Sequence, residues 1–196
     1  MVTATRRRVI REDVMLAAAA GRDVLDIGCV AADGLMRLHR EIRSIARSCV
    51  GLDQAEAEGV IVADAQNFTL ERQFDVIIAG EVIEHLGNVH GFISSVAAHL
   101  RPGGRLIVTT PNAYSGVMLR HASIGRIVPN DRYHVAMFDM TTIVNMFNNY
   151  GGSWFTGSAC YYEERYTALP LYRANRLLSR LLPGYSSGLL LDLQRV

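Results

Sequence analysis

Short apolar runs alternate with amphipathic segments over the first two thirds of the chain. The runs are rich in valine, isoleucine and leucine, which is typical of strands covered on both faces of a parallel sheet. They predict one strand that begins at Val24 and breaks into a turn at Gly28, and further strands at residues 49–52, 59–63, 74–79 and 105–110. The intervening segments then have to supply the helices that cover the sheet.

Apolar residues recur at helical spacing between the predicted strands. Residues 10–20 predict a first helix, and later helices are indicated by Leu35, Leu38, Ile42 and Ile45, and by Phe92, Ile93, Val96, Ala97 and Leu100. Strands that alternate with helices favour a parallel sheet with right-handed crossovers. The last third is less regular and predicts helices at 141–150 and 171–182 and strands at 153–162 and 189–196.

Composition restricts the class of protein. The chain has 196 residues and contains no repeat or low-complexity linker, so we predict a single domain over residues 1–196. The formal net charge is +1, which excludes a strong overall attraction to nucleic acid or anionic membranes and leaves any such attraction to local charges. No segment is apolar enough for a membrane span, and three isolated cysteines favour free thiols in a cytoplasmic setting.

The basic residues exclude several chemistries. All 20 are arginine, and without lysine there is no Schiff-base lysine and no phosphate-binding lysine of the P-loop kind. Four of them lie near the start of the chain, at Arg6, Arg7, Arg8 and Arg11. We interpret this stretch as a solvated, partly disordered terminus, and a nucleic-acid-binding arm is the alternative.

The turn at Gly28, with Asp53 after the next strand, is typical of a βαβ unit that binds an adenosine-containing cofactor. A dinucleotide site needs further glycines close to the pyrophosphate, but Val30 and Ala32 stand in those places. A cofactor without phosphate fits better, and S-adenosylmethionine has a ribose diol that Asp53 could bind. An ordinary strand, turn and helix is the alternative.

A second polar group follows the strand at 74–79. If the chain turns helically after Gly80, then Glu81, Glu84 and His85 share one face, because they lie at positions i, i+3 and i+4. That face would look into the cleft at the carboxyl ends of the strands. Such a group could orient an acceptor, take a proton or bind a divalent metal. Alternatively, the glutamates only favour the start of a helix.

Taken together, these motifs resemble the class I S-adenosylmethionine-dependent methyltransferases over nearly the whole chain. The pieces that carry the resemblance are VLDIGC, GLDQ, ADAQNF, FDVIIAGEVIEHL, LRPGGRLIVTTPN and HVAMFD. The resemblance implies an α/β, Rossmann-like, doubly wound sheet of seven strands, in the order 3-2-1-4-5-7-6 with the last strand antiparallel. A branch with GCV turns and TTPN segments is similar, and its members often act on saccharides or small natural products.

The resemblance also implies which residues bind S-adenosylmethionine. They are Asp26, Gly28 and Cys29 at the methionine end, Asp53 and Gln54 at the ribose and adenine, Asp64 and Ala65 at the adenine edge, and Gly80 and Glu81 on the far side. The turn GCVAADG departs from the commoner GCGxG, which puts the depth of the cofactor pocket in question.

A narrower likeness involves the metal-dependent small-RNA 2′-O-methyltransferases. Glu81, Glu84, His85 and His134 match the metal-binding pattern of that group. A basic groove interleaved with aromatic residues, which RNA binding favours, is not visible in the sequence. Ordinary members of the superfamily share much of the same pattern, so we prefer a site without metal and keep the metal site as the alternative.

The sequence thus predicts an S-adenosylmethionine-dependent O-methyltransferase that acts on a small-molecule or saccharide hydroxyl. His85 or His134 is the expected base, and Glu84 is expected to orient the imidazole. Residues 114–132 are expected to form a mobile lid over the acceptor. The rivals are a metal-dependent RNA methyltransferase and a cofactor-binding subunit without activity of its own. The sequence leaves the oligomeric state open.

Overall fold

A computed structural model describes residues 1–30, 36–125, 133–165 and 170–196, with only the backbone described over 170–175. Within these ranges the chain forms eight strands and six helices. The strands are β1 (Val2–Ile10), β2 (Asp23–Ile27), β3 (Ser48–Asp53), β4 (Val60–Val62), β5 (Phe74–Gly80), β6 (Leu100–Pro111), β7 (Phe155–Glu163) and β8 (Gly188–Arg195). The helices are α1 (Arg11–Ala19), α2 (Arg37–Ile45), α3 (Val89–His99), α4 (Gly116–Ser123), α5 (Met140–Gly151) and α6 (Pro170–Leu181).

All eight strands belong to one sheet in the order β1-β7-β8-β6-β5-β2-β3-β4. Strand β8 runs antiparallel to β6 and β7, whereas the other pairs are parallel. The expected seven-stranded sheet is therefore wrong, because the sheet has an eighth strand, β1, beside β7. The α/β, Rossmann-like class and the mostly parallel sheet are as expected.

Strand β1 corrects the interpretation of the arginine-rich terminus as solvated and partly disordered. Val2 is buried, its backbone N–H donates to Asn148 Oδ1 at 2.8 Å, and Asn148 Nδ2 donates to the Val2 carbonyl at 3.0 Å. Valine, isoleucine and threonine favour a strand here, while the arginines lie on the outermost strand of the sheet. Charged side chains on an edge strand discourage pairing with other chains.

Two apolar cores separate the sheet from its helices. One core contains Phe92 and Ile93 of α3 with Ile143 and Phe147 of α5, and the other contains Met15 of α1 with Ile42 of α2. The helices thus cover both faces of the sheet, as in doubly wound α/β folds. No helix of the described ranges is both long and apolar enough to cross a membrane.

Register aligns the ends of the central strands. Ile27 at the end of β2 pairs with Leu52 of β3 on one side and with Ala79 of β5 on the other. The next residues along the three strands, Gly28, Asp53 and Gly80, consequently lie side by side at the carboxyl edge. Ligands of open α/β sheets bind at this edge.

Candidate active site

The turn after β2 requires a glycine at position 28. Gly28 has φ of +72°, and its backbone N–H donates to the Leu52 carbonyl at 2.8 Å. A Cβ on this residue would lie 2.3 Å from Val82 Cγ2, so any side chain would strike the segment that follows β5. Glycine is thus required both by the left-handed conformation and by the close approach.

Asp53 fastens the same turn from the neighbouring strand. Its Oδ2 accepts from the Val30 N–H at 2.8 Å, and its Oδ1 accepts from the Ala55 N–H at 2.9 Å. Each carboxylate oxygen has a further lone pair, so the side chain can still accept from a ligand hydroxyl. Asp53 is half-buried and lies beside the Gly28 turn, where the sequence predicts a ribose diol.

The remaining residues predicted at the adenine end lie on neighbouring strand ends. The Ala63 N–H donates to the Asp53 carbonyl at 2.9 Å, which brings the residues after β4 alongside those after β3. Ala65 is buried, whereas Gln54 and Asp64 are exposed. Asp64 Oδ1 accepts from the Gln66 N–H at 2.9 Å. The structure thus gathers these side chains at one edge of the sheet.

Asp26 and Cys29, predicted at the methionine end, are both buried. Asp26 Oδ2 lies 2.8 Å from His39 Nδ1, a partner for Asp26 that the sequence analysis does not identify. Burial raises the pKa of Asp26, and the hydrogen bond with His39 opposes that rise. Burial also raises the pKa of the Cys29 thiol to about 12, so this cysteine remains protonated at neutral pH and is not a nucleophile.

The segment after β5 differs from the predicted helix. Glu81 has φ of +57°, and the only helical turn here is a short 3₁₀ turn at Ile83–His85. Glu81 therefore does not lie one helical turn before Glu84 and His85, and the expected common face is wrong. A left-handed conformation costs a non-glycine residue about 1–2 kcal/mol, and such strain is concentrated at functional sites.

Glu81 and Glu84 bind successive residues of β6. Thr109 Oγ1 donates to Glu81 Oε1 at 2.8 Å, and Thr110 Oγ1 donates to Glu84 Oε2 at 3.0 Å. Successive side chains of a strand point to opposite faces of the sheet. The two carboxylates are therefore held on opposite faces, whereas helical spacing in the sequence predicts them on one face.

On the face of Glu81 the partners come from α1 and β7. Tyr162 OH donates to Glu81 Oε1 at 2.8 Å, and Arg11 Nη1 lies 3.5 Å from the same oxygen. Burial raises the pKa of Tyr162 well above its usual range, so the phenol stays protonated and can donate. These hydrogen bonds fix Glu81 at the edge of the sheet, next to Gly80.

On the face of Glu84 two histidines complete a cluster. One ligand atom from each of Glu84, His85 and His134 lies within 4.8 Å of the others. His134 Nε2 is 4.0 Å from Glu84 Oε1, and the two imidazole rings are in edge contact with centroids 4.6 Å apart. Glu84 thus lies near both histidines, and its Oε1 is within ion-pair distance of His134.

His85 is oriented by the backbone instead. Its Nδ1 lies 3.1 Å from the Tyr133 carbonyl oxygen. A carbonyl only accepts, so Nδ1 carries the proton and Nε2 of the neutral ring keeps its lone pair. The Val135 and Ala136 N–H groups donate to the Glu84 carbonyl at 2.9 and 3.1 Å, which fastens the segment of Tyr133 and His134 over the cluster.

Burial changes the chemistry of Glu84. Its side chain is 1% exposed, and its Oε1 has no hydrogen-bond partner among the residues that the structure describes. Burial, followed by the charge of Glu81, raises the pKa of Glu84 from 4.5 to about 8. A carboxyl group in this state is poised to ionise when a positive charge forms beside it.

The expected lid at residues 114–132 is only partly described. Residues 116–123 form α4, where the sequence analysis expects irregular structure, because Ser115 Oγ accepts from the Met118 N–H and caps the helix. Residues 126–132 lie outside the described ranges, as do Ala32 and Leu35 near the cofactor turn. Closure of a lid over the acceptor stays a prediction.

Comparison with known proteins shows which family the chain belongs to. A protein-family model described as a methyltransferase domain matches residues 2–152. A protein of Mycolicibacterium smegmatis named "Probable S-adenosylmethionine-dependent methyltransferase" is 31% identical over 144 residues, which cover 67% of this chain and 52% of that protein. A ubiquinone biosynthesis O-methyltransferase of Rhodopseudomonas palustris is 31% identical over 117 residues, 54% of this chain and 46% of the relative. The chain thus spans about half the length of these curated relatives.

A solved structure gives the same fold. The S-adenosylmethionine-dependent methyltransferase of Mesorhizobium loti superposes with a TM-score of 0.62 at 19% identity. The superposition covers 94% of this chain and 95% of the other. At this level of identity the likeness shows the arrangement of strands and helices, and the substrate does not follow from it.

The requirement for glycine at position 28 can be measured. We expect Gly28→Ala to lower the free energy of unfolding by about 1–3 kcal/mol more than Gly21→Ala, because overpacking adds to the left-handed cost. Gly21 is a matched control, since its φ is +68° and nothing lies within 4 Å of its added Cβ. If urea denaturation shows equal losses of unfolding free energy for the two variants, a side chain at position 28 does not collide with Val82.

Proposed function

The chain belongs to the class I S-adenosylmethionine-dependent methyltransferases, and from that premise we propose that it methylates a hydroxyl group of a small molecule or a saccharide. The observation that carries this proposal is the cluster of His85, His134 and Glu84, in which His85 Nε2 has an available lone pair. An alcohol is a weak nucleophile, so its methylation gains from such a base. The curated O-methyltransferase relative of Rhodopseudomonas palustris supports a hydroxyl acceptor.

We assign the cofactor to the carboxyl edge of β2, β3, β4 and β5. Bound there, S-adenosylmethionine would supply a methyl group on a sulfonium. Asp53 would accept from the ribose diol, Asp64 and Ala65 would lie at the adenine, and Gly28 lets the segment after β5 approach the turn closely. Gly80 and Glu81, at the end of β5, would border the far side of the cofactor.

In this proposal the proton of the acceptor passes to His85. As the acceptor oxygen takes up the methyl group that bound S-adenosylmethionine would supply, His85 Nε2 would accept the hydroxyl proton. The Tyr133 carbonyl holds the imidazole in the tautomer that accepts this proton. Alignment and exclusion of water supply most of the remaining acceleration of an in-line displacement.

Glu84 and His134 would assist this transfer as positioning residues. Glu84 Oε1 is buried 4.0 Å from His134 Nε2, and the His134 ring touches that of His85. A positive charge on the imidazole pair would favour ionisation of Glu84, whose pKa is raised to about 8. The carboxylate would then stabilise the protonated base.

A divalent metal is the second candidate, because Glu84, His85 and His134 offer three ligand atoms to one position. Such an ion would acidify a bound acceptor hydroxyl without a protein base. The metal-binding pattern of the small-RNA methyltransferases also includes Glu81. Here Glu81 is held on the other face by Thr109 and Tyr162, so only three of the four ligands meet. We therefore prefer the version without metal, and a metal-dependent RNA methyltransferase remains the alternative.

The role of Asp53 predicts a loss of cofactor affinity. Removal of a charged hydrogen-bond partner costs about 1.5–3 kcal/mol, so Asp53→Ala should bind S-adenosylhomocysteine at least tenfold more weakly in calorimetric titration. Glu56→Ala, on the exposed loop after β3, is the control and should bind normally. The free energy of unfolding is measured on the same samples, since Asp53 also holds backbone N–H groups. Unchanged affinity would place the cofactor elsewhere.

The role of the histidines predicts a loss of turnover. With a panel of phenols and monosaccharides as acceptors, His85→Ala should lower kcat by about 10² to 10⁴, as expected for a lost general base. His90→Ala, an exposed histidine of α3, should retain the rate of the unchanged protein.

The same assay separates the alternatives. Turnover should survive treatment with a chelator, and loss with chelator that added Mn²⁺ restores would favour the metal site. Methyl transfer that occurs only when a partner protein is added would instead support a subunit without activity of its own.

A further inference from the structure

The carboxyl-terminal end of α6 exposes a group of leucines. Four leucines at its end are exposed, with exposed fractions of 65% at Leu177, 42% at Leu178, 84% at Leu181 and 49% at Leu182. Scattered exposed leucines are ordinary on soluble proteins, but a group confined to one helix end indicates an interaction surface.

The helix is fastened to the sheet by its opposite side. Ser179 is fully buried, and its hydroxyl donates to Glu163 Oε1 at 2.7 Å. Glu163 also accepts from Ser187 Oγ at 2.8 Å, which links the helix to the start of β8. The leucines on either side of Ser179 in the sequence are therefore held facing outward.

Helix α4 extends this surface. It packs against α6, and Ile124 at its end is 57% exposed. Arg120 of α4 and Arg180 of α6 are also exposed, so each helix presents apolar and basic side chains together.

The charged side chains of α4 and α6 are all basic. The sequence contains no Asp or Glu from residue 85 to 130 or from 165 to 191, which includes α4 and α6 entirely. Among the described residues, no carboxylate forms a salt bridge with Arg120, Arg176 or Arg180. Helices α4 and α6 thus carry arginine and no carboxylate, although the net charge of the whole chain is only +1.

This chemistry favours an anionic, apolar partner. A second copy of the chain would bring two basic patches together, which is unfavourable. Helix α6 has 12 residues, too few to span a bilayer but suited to lying in its interface. Leucines that enter the acyl region and arginines that meet anionic headgroups are the pattern of a helix that binds at a membrane surface.

We propose that α6, together with α4, docks the protein on an anionic phospholipid surface. The Leu177, Leu178, Leu181 and Leu182 side chains enter the lipid, and Arg120, Arg176 and Arg180 contact phosphate headgroups. This inference does not depend on the proposed acceptor.

The test is sedimentation with lipid vesicles. The protein should bind vesicles of mixed phosphatidylglycerol and phosphatidylcholine, and the binding should weaken as salt is raised. Arg180→Ala should bind about fivefold more weakly, the loss expected for one basic residue at an anionic surface. Leu181→Ser should bind at least about tenfold more weakly, because it loses the burial of a leucine.

A pair of variants on α2 is the matched control. Ile45 is 40% exposed and Arg40 is exposed on the same helix, which packs beside β3 near the other end of the sheet. Ile45→Ser and Arg40→Ala should bind the mixed vesicles as the unchanged protein does. Binding of S-adenosylhomocysteine checks that every variant is folded.

Three results would overturn the proposal. The first is absence of binding to the mixed vesicles, and the second is equal binding to vesicles of phosphatidylcholine alone. The third is a dimer in analytical ultracentrifugation that Leu181→Ser dissociates while vesicle binding is unchanged, since the leucines would then cover a second copy of the chain.

Discussion

Successive side chains at the end of β6 point to opposite faces of the sheet, and this places Glu81 and Glu84 on opposite faces. Thr109 and Thr110 are adjacent, so their hydroxyls point in opposite directions, and each donates to one glutamate of the segment after β5. Glu81 is thereby fixed beside Tyr162 and Glu84 beside His134. A site with two separate carboxylates follows from this one constraint.

The strained backbone at Glu81 connects the two halves of the site. Its left-handed conformation turns the chain sharply after Gly80, and Val82 then packs against the Gly28 turn. The same segment continues into the 3₁₀ turn that carries Glu84 and His85. One continuous stretch therefore joins the carboxyl edge at Gly28 and Gly80 to the histidine cluster.

Local patterns predicted which residues gather at the carboxyl edge of the sheet and that Glu84, His85 and His134 meet, but they misplaced Glu81. Gly28 and Asp53 follow apolar strands, and parallel register alone brings such strand ends together. Glu81 does not share the face of Glu84 and His85, because the chain takes a left-handed conformation at Glu81 and a glutamate gives no sign of such a turn in the sequence.

Two further differences have visible causes. The arginines of β1 led to the expectation of a disordered terminus, although the flanking valine, threonine and isoleucine residues favour a strand. Ser115 was an available signal for the start of α4, because serine is a favoured N-cap residue. The hydrogen bond between His85 and the Tyr133 carbonyl joins residues far apart in the sequence, so no local pattern contains it.

The tautomer of His85 tests the assignment of the base most directly, because only a ring protonated at Nδ1 leaves Nε2 able to accept a proton. A long-range proton–nitrogen correlation spectrum of the labelled protein reports which nitrogen carries hydrogen, with His85→Gln used to assign the signals. The structure predicts hydrogen on Nδ1 and a bare Nε2 in the neutral ring. A neutral ring with its hydrogen on Nε2 would contradict the account.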